Sequence, residues 1–159
     1  MDIYQFIIFH NKNHNLWNYK KKDSGKIFEF YCYFYFLQKF ECWLWADIPE
    51  SIRKKYNFPK TDIGIDIFVE NPPTAIQCKY RNSRFKASDV HHFERIINAF
   101  DLKMQGIFMS NCTYNPAEYY QKMGINIKYD ITFLNPSNTI FTREMVPNLE
   151  EIIKKRFKK

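Results

Sequence analysis

The sequence predicts an α/β fold, and three observations support this prediction. Residues 64–70 and 75–81 alternate apolar and polar side chains, as half-buried strands do. A shorter strand-like run, residues 41–45, precedes them. Runs with the length or spacing of helices stand on both sides, at residues 25–40 and 88–100. The expected order is therefore helix, three strands, helix and strand, followed by further α/β elements.

The first helix follows a capping residue, Ser24, and is too long for a strand of about five or six residues. The second has Val90, Phe93, Ile97 and Phe100 at helical spacing. The other expected elements are a polar connection at 47–60, a buried strand at 105–110, a short helix at 117–123, a strand at 125–134 and a final amphipathic helix from Pro147. We expect residues 25–159 to form one domain, and residues 1–24 to be an N-terminal extension of unclear role.

The composition narrows the classes of function. The chain of 159 residues carries a formal net charge of +7, which favours a polyanionic partner such as nucleic acid or an anionic membrane surface. Its four glycines form no phosphate-binding loop, and its four cysteines form no CxxC pair. The longest apolar run is shorter than the roughly 20 residues of a membrane span. With no secretory signal, we expect an intracellular protein in the cytoplasm or the nucleus, with no membrane association.

The two alternating runs predict a β-hairpin with a turn at residues 71–74. If Glu70 pairs with Ala75, then Asp66 lies opposite Lys79. One face of the hairpin then carries Asp66, Phe68, Glu70, Gln77 and Lys79. The other face carries the apolar set Ile65, Ile67, Val69, Ile76, Cys78 and Tyr80.

An acid, an amide and a lysine thus converge on one face of the predicted hairpin. Oxygen ligands can hold a hard cation such as Mg²⁺, which polarises a phosphate and activates water. A nearby lysine can stabilise the negative charge that develops during phosphodiester hydrolysis. The alternative interpretation is a solvated hairpin face on which Asp66 and Lys79 form an ordinary cross-strand pair.

The residues of the hairpin resemble a known motif. The run from Asp62 to Asp66, followed by Ala-Ile-Gln77-Cys-Lys79-Tyr, resembles the PD-(D/E)XK nuclease superfamily, and most closely its Mrr-like restriction endonuclease branch. In that branch a Gln commonly replaces the acid of the second motif. The resemblance implies a restriction-endonuclease-like αβββαβ core with a mixed central sheet flanked by helices. It covers residues from Gly25 to about Ser110.

The resemblance also implies roles for individual residues. Asp66 would be the main metal ligand, Gln77 would take the place of the second acidic ligand, and Lys79 would be the catalytic lysine. Glu29, on the first helix, would complete the metal site. The implied activity is a metal-dependent endonuclease that cuts DNA with Mg²⁺, or with Mn²⁺ as a substitute.

Two alternatives stay open at this point. The same fold could serve a Holliday-junction resolvase. Because Gln77 brings one less negative charge to a cation, the domain could instead be a non-catalytic nucleic-acid-binding module.

Arg81, Arg84 and Lys86 form a basic segment after the second strand that suits phosphate contacts, and a solvated loop is the other interpretation. Symmetric cutting of both DNA strands needs two sites, which would suit a homodimer.

Overall fold

The computed structural model describes residues 24–37, 39–81, 85–100, 102–111, 116–125 and 131–136. In chain order the elements are helix α1 (Ser24–Leu37), strand β1 (Cys42–Leu44), a 3₁₀ turn (Trp45–Asp47), helix α2 (Glu50–Tyr56), strands β2 (Ile67–Val69) and β3 (Thr74–Lys79), helix α3 (Ala87–Asn98), strand β4 (Gln105–Ser110), helix α4 (Pro116–Lys122) and strand β5 (Ile131–Leu134).

The strands of the described residues form one mixed sheet in the order β1-β2-β3-β4-β5. β1, β2 and β3 pair antiparallel, whereas β3, β4 and β5 pair parallel. The two parallel connections each contain a helix, α3 or α4, as parallel neighbours require. The predicted α/β fold, with a mixed sheet flanked by helices, is confirmed.

Two apolar cores lie on the two faces of the sheet. The α1 core joins helix α1 to one face through the buried side chains Phe28, Tyr31, Cys32, Ile67, Ile76, Cys78 and Met109. The α3 core joins helix α3 and the region around α2 to the other face through Phe58, Phe68, Ala75, Val90, Phe93, Ile97 and Phe108. The central strand β3 is therefore buried on both sides, which makes it a rigid support for the residues at its carboxyl end.

Helix α2 lies in the region that was predicted as a polar connection. One of its three cations, Arg53, is only 6% exposed. The guanidinium donates to the carbonyl of Pro59 at 2.7 Å and to that of Trp45, and it lies over the Trp45 ring. Because a buried arginine looks like a surface residue in the sequence, the pattern of residues 47–60 concealed a packed helix.

The register of the hairpin differs from the prediction by two residues. Phe68 pairs with Ala75 and Val69 pairs with Thr74, so the turn occupies residues 70–73. Glu70 lies in the turn, and its carboxylate accepts hydrogen bonds from Lys55 at 2.9 Å and Tyr56 at 3.2 Å. The predicted pairing of Asp66 with Lys79 is therefore wrong.

The predicted division of the hairpin into one apolar and one polar face is also wrong in part. Ile65 packs in the α3 core whereas Ile67 packs in the α1 core. Two residues apart in a regular strand would share a face, so the alternation breaks at Asp66. Phe68, placed on the polar face by the prediction, is fully buried in the α3 core. A local irregularity of this kind leaves little trace in an apolar/polar pattern.

The strand at 105–110 has the predicted bounds, and the helix predicted at 117–123 spans Pro116–Lys122. Of the strand predicted at 125–134, the described part is β5, Ile131–Leu134. α1 ends at Leu37 and α3 at Asn98, short of the predicted ends. The extension predicted for residues 1–24 lies outside the described residues except for Ser24, and so does the helix predicted from Pro147. No helix in the described part of the chain has the length and apolarity needed to cross a membrane.

Gly106 allows β4 to approach both α3 and β5, and we predict that Gly106→Ala destabilises the fold. An added Cβ would lie 2.5 Å from Ile97 Cδ1 and 2.7 Å from Ile131 Cγ2. Overpacking of this kind costs about 1–3 kcal/mol, which a urea unfolding curve would measure. Gly25→Ala is the matched control, because nothing lies within 4 Å of its added Cβ. Equal stabilities of the two variants would contradict this account of the packing.

Candidate active site

The four residues assigned to the site by sequence come from three elements that meet near the carboxyl end of β3. Glu29 lies on α1, Asp66 lies just before β2, and Gln77 and Lys79 belong to β3. Asp66 binds the peptide groups on both sides of Gln77: its N–H donates to the carbonyl of Ile76 and its carboxylate accepts from the N–H of Cys78. The site thus forms at the open end of the β2–β3 hairpin, away from its turn, where α1 packs against β3.

The Asp66 carboxylate is held by the backbone of β3. Its Oδ2 accepts a hydrogen bond from the N–H of Cys78 at 2.8 Å. The backbone N–H of Asp66 donates to Ile76 at 2.9 Å, and its carbonyl accepts from Trp45 at 2.9 Å. Both the main chain and one carboxylate oxygen of Asp66 are therefore fixed, which leaves the other carboxylate oxygen for a further partner.

The chain reaches Asp66 through a turn built on Gly64. Gly64 has a φ of +96°, a conformation that costs a side-chain-bearing residue energy. Its N–H donates to Asp62 Oδ1 at 2.9 Å. An added Cβ at Gly64 would also lie 2.9 Å from Ile96 Cδ1, so the turn packs closely against α3. The turn conformation and the close packing against α3 therefore explain why a glycine stands at this position of the motif.

Glu29 and Asp66 form a pair of half-buried carboxyl groups. Burial, then the charge of Asp66 and a hydrogen bond to it, raise the pKa of Glu29 to about 8. Burial also raises the pKa of Asp66 to about 6, although the Cys78 N–H and the Glu29 hydrogen bond act in the opposite direction. Near neutral pH the pair therefore holds one proton, with Glu29 donating it to the Asp66 carboxylate.

Gln77 is buried, with 6% of its surface exposed, and no described residue is a hydrogen-bond partner of its Oε1. An amide oxygen buried in this way loses its water without compensation, unless a cation or a donor reaches it. Two carboxyl groups and one unpaired amide oxygen form the oxygen-rich set that Mg²⁺ prefers. These residues therefore fit a divalent ion. Among the described residues no group of three or more His, Cys, Asp or Glu forms a metal cluster.

Lys79 completes the group of predicted residues. Its side chain is half-buried, and its positive charge lowers the pKa of Asp66, so the two charges lie within electrostatic reach. Asp62 acts with the opposite sign on both Asp66 and Glu29. The structure thus brings Glu29, Asp66 and Lys79 into one electrostatically coupled group.

The basic residues predicted for nucleic-acid contact lie further along the chain. Arg81 and Lys86 are exposed, and Lys86 immediately precedes α3. Arg84 lies outside the described residues. The sequence reasoning overlooked Asn111, whose side-chain amide makes hydrogen bonds of 2.9 Å and 2.8 Å to the backbone of Arg81. Asn111 directly follows the strand predicted at residues 105–110, and this position was the signal that could have identified it.

The sequence reasoning also overlooked a contact between two thiols behind the site. Cys32 of α1 and Cys78 of β3 are buried in the α1 core and share a hydrogen bond. Burial raises the pKa of both thiols. Neutral, buried thiols pack as small apolar groups, which agrees with the prediction that Cys78 belongs to the apolar face of the hairpin.

Residues 34–116 match a family model described as a restriction endonuclease, of the Mrr-like PD-(D/E)XK type. The match spans more than half of the chain. The protein belongs to this restriction endonuclease family. The matched region of the endonuclease contains Asp66, Gln77 and Lys79. Glu29 lies before it, so the assignment of Glu29 to the site depends on its contact with Asp66. No curated protein and no solved structure matches the chain.

The carboxyl pair predicts that the metal-free endonuclease loses stability as pH rises from about 4.5 to about 8. In this window Glu29 keeps its proton in the folded protein, whereas an unfolded Glu ionises near its ordinary pKa of 4.5. The folded state binds more protons, so the free energy of unfolding falls with rising pH. In EDTA at pH 8, Glu29→Gln should be more stable than the wild type by on the order of 2 kcal/mol.

Urea unfolding at pH 5 and pH 8 would measure this difference. Glu118→Gln, an exposed position on α4, is the matched control and should follow the wild type at both pH values. A Glu29→Gln variant that is less stable than the wild type at pH 8 would contradict the raised pKa.

Proposed function

We propose that the protein is a divalent-metal-dependent endonuclease that hydrolyses phosphodiester bonds of DNA. The observation that carries this proposal is that Glu29 and Asp66 form a carboxyl pair, and that Gln77, whose flanking peptide groups bond Asp66, has a buried amide oxygen with no partner among the described residues. Family membership supplies the reaction class, and the oxygen donors supply the reason for a metal ion. Mg²⁺ is the proposed ion, with Mn²⁺ as a substitute.

Asp66, Glu29 and Gln77 would hold the ion. When bound, the ion supplies Lewis-acid polarisation of the phosphate and lowers the pKa of a water molecule. Asp66 is suited to a fixed ligand, because the N–H of Cys78 orients its carboxylate. Glu29 must give up its proton to become a ligand, and the attraction of a divalent cation favours that loss.

Lys79 would act on the phosphate directly. Lys79 is the last residue of β3, which is buried on both faces, so the backbone of Lys79 is fixed close to Asp66. A positioned cation stabilises the negative charge that accumulates on the phosphoryl oxygens as the bond breaks. Lys79 is therefore assigned to charge stabilisation, and its removal should affect turnover more than binding.

The DNA backbone would be held by exposed basic residues near the same end of the sheet. Arg81 and Lys86 are the described members of this set, and Arg84 is the third proposed member. Contacts of this kind supply affinity without sequence choice and weaken with salt. A homodimer would provide the two sites that symmetric cleavage of a duplex needs.

One observation favours a second candidate function. Gln77 stands where many nucleases of this type carry an acid, so the site offers one negative charge fewer to a cation. A non-catalytic nucleic-acid-binding module would retain the basic surface without cleavage. A Holliday-junction resolvase of the same fold would differ in its substrate alone, so a four-way junction belongs among the substrates tested.

We predict that Lys79→Ala abolishes cleavage of supercoiled plasmid in Mg²⁺ or Mn²⁺ while DNA affinity changes by no more than about threefold. The reason is that Lys79 stabilises charge in the transition state and makes one backbone contact among several. Agarose gels report nicking and linearisation, and fluorescence anisotropy in EDTA reports binding.

Lys54→Ala, an exposed position on α2, controls for loss of a positive charge and should cut normally. Cleavage that persists in Lys79→Ala would refute the assigned role. Binding without cleavage by the wild type, on both plasmid and four-way junction, would favour the non-catalytic module.

A further inference from the structure

Beyond the last backbone pair of strand β3, a side chain replaces the neighbouring strand as the hydrogen-bond partner of the chain. The ladder between β3 and β4 ends at the pair of Lys79 and Ser110. The amide of Asn111 then takes over: its Oδ1 accepts from the N–H of Arg81 at 2.9 Å, and its Nδ2 donates to the carbonyl of Arg81 at 2.8 Å. Asn111 thus satisfies both backbone polar groups of Arg81, as a neighbouring strand would.

The alternation of side chains also continues past the end of the ladder. Ile76 and Cys78 lie in the α1 core, and Tyr80 packs against that core with its ring 5.7 Å from the Phe28 ring. Lys79 and Arg81 therefore leave the chain on the opposite side from Tyr80. In an extended chain, residues two apart on one side are separated by about 6.6 Å.

Two cations on one side of an extended strand match a ligand with regularly repeated negative charges. A single strand of nucleic acid has this property, because every nucleotide carries one phosphate. Lys79 lies beside the carboxyl pair, and Arg81 is exposed next to it. A phosphate at Lys79 would therefore bring its neighbour along the same strand towards Arg81.

We infer that Asn111 is a positioning residue, which holds Arg81 so that Lys79 and Arg81 contact successive phosphates of one DNA strand. This inference rests on the proposed function, since Lys79 is placed at the scissile phosphate. The two hydrogen bonds fix the backbone from which the Arg81 side chain extends. Fixing it before binding reduces the ordering cost that a long side chain meets on contact with its partner.

A double-mutant cycle tests whether Asn111 acts through Arg81. Affinity for a labelled duplex would be measured by fluorescence anisotropy in EDTA at several salt concentrations, for the wild type, Arg81→Ala, Asn111→Ala and the double variant. Each single variant should weaken binding by about five- to tenfold, and the double variant should bind within about twofold of Arg81→Ala. Arg81→Ala should also reduce the slope of log affinity against log salt by about 0.9, as loss of one phosphate contact does.

Asn111→Gln tests the two hydrogen bonds without changing the charge. It keeps both amide functions on a longer side chain that misplaces them relative to the Arg81 backbone, so its affinity should lie between those of the wild type and Asn111→Ala. Asn98→Ala, an exposed amide at the end of α3, and Lys103→Ala, an exposed cation before β4, are the matched controls and should bind as the wild type does.

Several results would overturn the inference. These are unchanged affinity in Asn111→Ala, a double variant weakened by the product of the two single effects, or no salt-dependent duplex binding by the wild type. The proposed function is judged separately by plasmid cleavage. If the wild type binds duplex without cutting it, the proposed nuclease function is refuted. The double-mutant cycle still decides whether Asn111 acts through Arg81. A wild type that cuts DNA while the two effects multiply refutes only this inference.

Discussion

The hydrogen bond from the Cys78 N–H to the Asp66 carboxylate is the interaction on which the site depends. At this point side-chain alternation breaks, and Ile65 and Ile67 pack on opposite faces of the sheet. Beyond the last ladder pair of the hairpin, the carboxylate accepts the backbone N–H of Cys78 at 2.8 Å. An acid is therefore part of the sheet's own hydrogen bonding, which explains how a charged group is held at the margin of two apolar cores.

The same placement brings two carboxyl groups together, whose negative charges would repel each other. Two carboxyl groups with little access to water cannot both ionise without a compensating charge, so Glu29 keeps a proton near neutral pH. Lys79 supplies part of the compensation for Asp66, and the Gln77 oxygen adds no charge. A divalent cation would relieve the repulsion and also satisfy the amide oxygen. Metal binding and proton release are then two aspects of one equilibrium.

The sequence was sufficient to predict most elements in their order, though not α2, because hydrophobic periodicity is a local property. The spacing of the motif, also local, supplied the candidate residues. The sequence was insufficient where long-range contacts decide the structure. In the structure Glu70 binds α2 and lies outside the hairpin ladder, and the buried Arg53 ties α2 to the carbonyl of Pro59. The partner of Arg81 is Asn111, which lies 30 residues further along the chain. No local pattern of residues contains these pairings.

The central claim, that the Glu29–Asp66 pair exchanges its proton for a metal ion, is tested most directly by calorimetry. Mn²⁺ binding at pH 7 would be measured in buffers of different ionisation enthalpy, with wild type and Glu29→Gln. Since Glu29 has a pKa of about 8 and Asp66 one of about 6, the account predicts release of about one proton per ion bound by the wild type and none by the variant. Ion binding without proton release by the wild type, or equal release by both proteins, would contradict it.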